Sequence, residues 1–193
     1  MTVDALAGAY EAKSEAYYGA ARRDWLDQMP HDRNLRVLEL GCGSGATGAL
    51  ALSEGRCVAW GVAIERHGPA ATQAACVLTQ VIEGDIDRLD LPLAEEGFDL
   101  LVMGQVLEHL PNPEAVLARL ARFLKPAGVA LASTPNIGHW RSVAGLVAGR
   151  FDYEAEGVMD RTHLKWFTPR SLRRAFEGAG LTDVSVTPLG WSE

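Results

Sequence analysis

Apolar and polar positions along this chain follow two rhythms. Short apolar runs at 35–40 (LRVLEL), 57–62 (CVAWGV), 79–82 (TQVI), 98–103 (FDLLVM), 128–133 (GVALAS) and 183–187 (DVSVT) read as strands. Segments at about 45–54, 68–76, 113–124 and 169–178 read as helices. The clearest of them, "PEAVLARLARFL", sets Val116, Leu117, Leu120, Phe123 and Leu124 on one face, and "KPAG" stops it. Asn112 before Pro113, and Thr168 before Pro169, each pair a capping side chain with a proline at the first helical position. Helix formers also dominate residues 2–29, up to Pro30.

Strand and helix in alternation predict an α/β fold: a Rossmann-like, doubly wound, mostly parallel sheet with helices on both faces. Residues 1–34 form an N-terminal helical segment, and 35–193 a single domain. Segment 136–167 breaks the rhythm and carries Trp140, Phe151, Tyr153, Trp166 and Phe167. Ligands of open α/β sheets sit beyond the carboxyl ends of the strands, so this segment is a candidate lid over an acceptor. Trp140, Val143 and Val147 share one helical face, which predicts core packing for them.

Charge narrows the partners. The net charge is −7 and the pI about 5.3, which disfavours a nucleic-acid backbone. No apolar run approaches the ~20 residues of a membrane span, and "MTVDALAGAYEAKSE" does not read as a secretory signal. Cys42, Cys57 and Cys76 lack metal-ligand spacing and read as reduced thiols of a cytoplasmic protein, with no metal expected.

The stretch "VLELGCGSGATG" (37–48) fits the dinucleotide-turn pattern twice, through Gly41, Gly43 and Ala46 and through Gly43, Gly45 and Gly48. Glu39 argues against a pyrophosphate there. Two like charges at ~5 Å and an effective dielectric of ~20 repel by roughly 3 kcal/mol, whereas a cation would be welcomed. Counting ~20 positions from Gly43 for a ribose-binding acid reaches Ala63, with Glu65 two residues further on. The glycines alone leave a phosphate-free ligand and a dinucleotide both open.

Four stretches in order resemble the class I S-adenosylmethionine (SAM)-dependent methyltransferases: "VLELGCGSG", "IEGDIDRLDLP", "FDLLVMGQVLEHLPNPEAVLARLARFLKPAGVALASTPN" and "DRTHLKWFTPRSLRRAFEGAGL". The resemblance covers roughly residues 35–185. It implies SAM as cofactor, with Glu39, Gly41, Cys42, Gly43 and Gly45 at its methionine end. Asp85 would accept from the adenine amino group, and Ile86 would pack on the adenine face. Tyr17 and Tyr18 would close over the cofactor. Where the family has its ribose-binding acid this chain has Ala63. Either Glu65, on the same side of an extended strand, takes over that contact, or it is a solvated residue. Gln105 likewise stands where the family often has an acid.

The tail resembles bacterial enzymes that methylate small molecules or saccharides, often at oxygen, which implies a small-molecule acceptor and no membrane or nucleic-acid partner. His109, His139, His163 and Asp160 are the candidate bases for a hydroxyl acceptor, His109 and His163 being the preferred catalytic residues. Asp160, three residues before His163, would either orient that imidazole or belong to a local turn network. The family sheet has seven strands and the sequence offers six, which predicts a trimmed chain or a sheet edge covered by a second copy in a homodimer. An NAD(P)-linked oxidoreductase and a catalytically weak SAM-binding protein are the rival readings.

Overall fold

The structure is a computed structural model that describes residues 13, 15–30, 34–57 and 59–189. Residues 2–12 and 14 of the N-terminal stretch expected to be helical therefore lie outside the described residues. Contacts divide the chain into two compact units, Met1–Val106 with Arg122–Ser133, and Leu107–Ala121 with Thr134–Glu193.

The first unit holds a five-stranded sheet: β1 (Val37–Leu40), β2 (Val62–Glu65), β3 (Val81–Glu83), β4 (Phe98–Gly104) and β5 (Leu124–Ser133). The order is β3-β2-β1-β4-β5, and every pairing is parallel. The chain steps outward from β1 to β3, then returns to β4 on the other side of β1. That reversal is the switch point at which open α/β sheets hold ligands. β1 and β2 are buried along their whole length, as strands covered on both faces must be.

Helices α1 (Glu15–Gly19), α2 (Arg23–Leu26), α3 (Ala46–Ser53) and α4 (Gly68–Ala74) complete this unit. Among the described residues the N-terminal segment holds two short helices, and it contributes Trp25, Leu26 and Met29 to the core. β2 pairs at 62–65 rather than at 57–62. The apolar run continues through Ile64 without punctuation, and register with β1 (Leu38 opposite Val62, Leu40 opposite Ile64) selects which part pairs. "KPAG" is a bulge inside β5: the ladder jumps from Phe98–Leu124 to Leu100–Val129, with Ala127 in the left-handed region at φ 64°. Pro126 lacks a donor, and an edge strand tolerates that.

The second unit contains a 3₁₀ turn (Leu107–His109), α5 (Pro113–Ala121), α6 (Trp140–Val147) and α7 (Pro169–Gly178). α5 packs against α7. Both predicted caps form. Asn112 Oδ1 accepts from Ala115 N–H at 3.2 Å. Thr168 and Ser171 make a reciprocal capping box, with bonds of 3.2 and 2.8 Å. Two expectations fail here. Residues 183–187 join no ladder among the described residues; Asp183 sits at φ 53°, outside extended geometry, and Arg173 holds the Val184 carbonyl instead. Trp140, Val143 and Val147 are 67%, 42% and 84% exposed, so the apolar face of α6 is not core.

Thr168→Ala removes one side of the capping box and should lower stability by about 1 kcal/mol, read as a reduced urea midpoint at unchanged slope. Arg174→Ala, at an exposed position on the same helix, should stay within about 0.5 kcal/mol of the parent.

Candidate functional site

At the carboxyl end of β1 the glycine loop is held entirely by this chain. Gly41 and Cys42 donate their N–H groups to the Ile64 carbonyl (2.8 and 3.4 Å), Ser44 to the Tyr18 carbonyl (2.9 Å), and Gly45 to Cys42 (2.9 Å). Gly43 N–H donates to Glu65 Oε2 at 2.8 Å. A dinucleotide turn works by aiming such donors at a pyrophosphate. Here all five N–H groups from Gly41 to Gly45 already have protein acceptors, and one acceptor is a carboxylate. The glycines themselves are set by close approach. Gly41 (φ 75°) abuts Val106 at the end of β4, and Gly43 (φ 54°) abuts the Tyr18 carbonyl, so a Cβ at either would collide.

Glu65 is the centre of this arrangement. Its second oxygen, Oε1, accepts from His67 N–H at 2.8 Å at the start of α4. The side chain is buried, which removes the solvated reading. Each oxygen retains a second lone pair. Ala63, two residues earlier and on the same side of β2, is fully buried and pairs with Glu39 across the ladder.

Glu39 is buried as well, and its Oε2 accepts from the Trp60 indole N–H at 2.7 Å. Burial raises the Glu39 pKa to about 7, the Trp60 bond opposes that rise, and Glu65 adds to it. Glu39 thus holds its proton far more strongly than a solvated carboxyl, and its repulsion of a phosphate is weaker than that of a permanent full charge. Burial, then the carboxylates of Glu39 and Glu65, hold the Cys42 thiol far above its ordinary range, so it is no nucleophile. Burial and Glu65 push the Tyr18 hydroxyl up to about 12. The Tyr18 ring stacks on His67 with centroids 4.4 Å apart, while its carbonyl anchors Ser44 N–H and Oγ–H.

Asp85 caps its own turn through Asp87 N–H (3.1 Å) and lies 3.8 Å from Arg66. Ile86 beside it is buried. Gln105 is left-handed at φ 54°, a conformation uncommon outside glycine and often found at functional sites. Its amide donates to Ser133 Oγ at 3.3 Å, and Ser133 also lies 3.5 Å from the Arg22 guanidinium. Trp60 and Arg22 were missed in the sequence, Trp60 because it hides in an apolar run and Arg22 because it sits in a helix-like charged stretch.

In the second unit, Leu164 and Lys165 donate backbone N–H groups to the Glu108 carbonyl at 2.8 and 3.0 Å. This brings "DRTH" against the 3₁₀ turn and places the His109 and His163 rings 4.8 Å apart, edge to face. His109 Nδ1 faces the Thr162 carbonyl (3.2 Å), and His163 Nδ1 the Val158 carbonyl (3.0 Å). A carbonyl only accepts, so each Nδ1 carries the proton of its bond, and in the neutral form of either ring the lone pair lies at Nε2. Asp160 Oδ1 accepts from Thr162 N–H and Oγ1–H at 2.8 and 2.7 Å, the local turn network. Val158, not Asp160, orients His163 through Nδ1. Phe151, Tyr153 and Trp166 gather with centroids 5.7–6.2 Å apart.

A parallel sheet with this switch point and a glycine loop leading into α3 define an open α/β sheet of the nucleotide-binding kind. Residues 14–186 match the methyltransferase domain family, and the chain belongs to it. It is 30% identical over 172 residues to the ubiquinone biosynthesis O-methyltransferase of Neisseria meningitidis serogroup C (86% of this chain, 71% of that protein). It is 33% identical over 179 residues to the protein of that name from Dechloromonas aromatica (89% and 75%). Among solved structures, a SAM-dependent methyltransferase from Archaeoglobus fulgidus matches with a TM-score of 0.64 at 21% identity (88% and 73%). Another from Mesorhizobium loti matches at 0.62 and 18% (84% and 81%). The protein is a SAM-dependent methyltransferase.

Glu39 supplies a pH test. The folded state keeps its proton up to about pH 7, whereas the unfolded chain loses it near 4.5. The native state thus binds more protons between these values, and stability falls as pH rises through that window. Glu39→Gln keeps an acceptor for Trp60 and removes the slope. The variant should melt several degrees above the parent near pH 8, a gap worth on the order of 2–3 kcal/mol, and the gap should close toward pH 4.

Proposed function

We propose that the chain transfers the SAM methyl group to a hydroxyl oxygen of a small organic acceptor in the cytoplasm. The observation that carries the reading is the pair of buried imidazoles, each pinned through Nδ1 so that Nε2 is the basic nitrogen. Methyl transfer from a sulfonium is an in-line displacement in which alignment does most of the work. A hydroxyl acceptor also has a proton to lose, and a positioned base is worth roughly 10²–10⁴-fold. His109 or His163 takes that proton at Nε2. The O-methyltransferase names of the relatives support oxygen as the acceptor atom.

On the cofactor side, Glu39 and the loop from Gly41 to Gly45, Cys42 included, line the methionine end. Asp85 takes the adenine amino group, Ile86 packs on the ring, and Glu65 adds ribose hydroxyls to the two N–H groups it already binds. The exposed aromatics of 136–167 provide apolar surface for an acceptor.

SAM and S-adenosylhomocysteine should each raise the melting temperature in a thermal-shift assay while NAD does not; stabilisation by NAD alone would reverse the assignment. Methyl transfer from labelled SAM should proceed to phenols in preference to amines, and His109→Gln or His163→Gln should lower kcat by at least about 10²-fold with SAM affinity retained. For Glu65, the discriminating ligand is S-adenosylhomocysteine lacking both ribose hydroxyls. Glu65→Ala should weaken the natural product by about 10-fold or more and the dideoxy compound much less. An equal loss for both would confine Glu65 to bracing the loop.

A further inference from the structure

We infer that Glu108, His109 and His163 form a binding site for one divalent metal ion of the zinc class. One ligand atom from each lies within 4.8 Å of the others, and all three side chains are buried, at 1%, 9% and 6% exposure. The two imidazoles come from segments more than fifty residues apart and are brought together by the bonds from Leu164 and Lys165 to the Glu108 carbonyl. Each Nδ1 is fixed on a backbone carbonyl, the arrangement that orients metal-binding histidines and keeps Nε2 as the donor atom. Two nitrogens and one carboxylate suit zinc and its first-row neighbours, whereas magnesium and calcium prefer all-oxygen shells. Metal bonds of about 2.1 Å place tetrahedral ligand atoms about 3.4 Å apart, so a contraction of at most about 1.4 Å closes the site. Three protein ligands leave a fourth position for water or a hydroxyl.

Metal on the two imidazoles would end their use as bases and replace it with the raised acidity of a metal-bound hydroxyl. The inference thus bears on how the acceptor proton leaves, and its test needs no turnover. The full chain, stripped with a chelator and then dialysed against zinc, should retain about one equivalent by elemental analysis and melt at a higher temperature than the stripped form. Glu108→Gln and His163→Gln should each weaken zinc retention by at least about tenfold, while Cys76→Ser, at the exposed thiol, should leave it unchanged. Cobalt replacement reads the donor set in the unmutated protein, so the result does not depend on the variants folding. Ligand-field bands without a thiolate charge-transfer band support the site. A thiolate band, loss of zinc with Cys76→Ser alone, or less than about a tenth of an equivalent retained by the parent would overturn it.

Discussion

The carboxylate of Glu65 joins two chain segments that a binding loop of this kind must keep in register. One oxygen takes Gly43 N–H and the other takes His67 N–H, so the turn after β1 and the start of α4 are fixed from a single point at the end of β2. A charge-assisted bond of this sort is worth about 1.5–3 kcal/mol, and two of them on one buried side chain leave it little freedom. The consequence is chemical as much as mechanical. The Gly43 N–H, a potential donor to a ligand, is taken by a carboxylate of the protein, and its neighbours in the loop by the Ile64, Tyr18 and Cys42 carbonyls.

Placing two buried carboxylates near one loop has an electrostatic cost, and Glu39 carries it. Its proton is held up to about pH 7 because water is excluded and Glu65 is near, with the Trp60 indole working in the other direction. A cationic ligand favours the ionised form of Glu39 in the same way that Glu65 disfavours it. Burial first, and then the same two carboxylates, hold the Cys42 thiol far above its ordinary range. Its role in the loop is that of a small buried side chain.

Much of the fold was readable in the amino-acid order because its determinants are local. The caps at Asn112 and Thr168 need only a side chain and a following proline, and both form. β4 is bounded by Gly97 and Gly104 and lies within a residue of its expected span. β2 was displaced because pairing register is set by β1, a partner more than twenty residues away. The strand expected at 183–187 failed because alternation is a necessary pattern and supplies no neighbour to pair with. α6 shows the opposite limit. Its apolar stripe is real, yet periodicity reports which residues share a face, not what that face meets.

The site divides along the same line. Glycine spacing, the acid before it and "GDID" mark the loop and the turn beyond β3 as chemistry-bearing, since residue type there is dictated by backbone approach. The same spacing serves phosphate and non-phosphate ligands alike, so it could not separate them. What the structure adds is the destination of the backbone N–H groups from Gly41 to Gly45, which depends on two other segments: Tyr18, and Ile64 with Glu65 at the end of β2. The histidines repeat the point. His109 and His163 were visible as isolated titratable groups, and Glu108 not at all. Their convergence rests on a backbone carbonyl taking two N–H groups from a segment half a hundred residues away, and the tautomer of each ring on carbonyls at 158 and 162. Side-chain identity names the candidates, and the accounting of main-chain donors and acceptors decides what they can do.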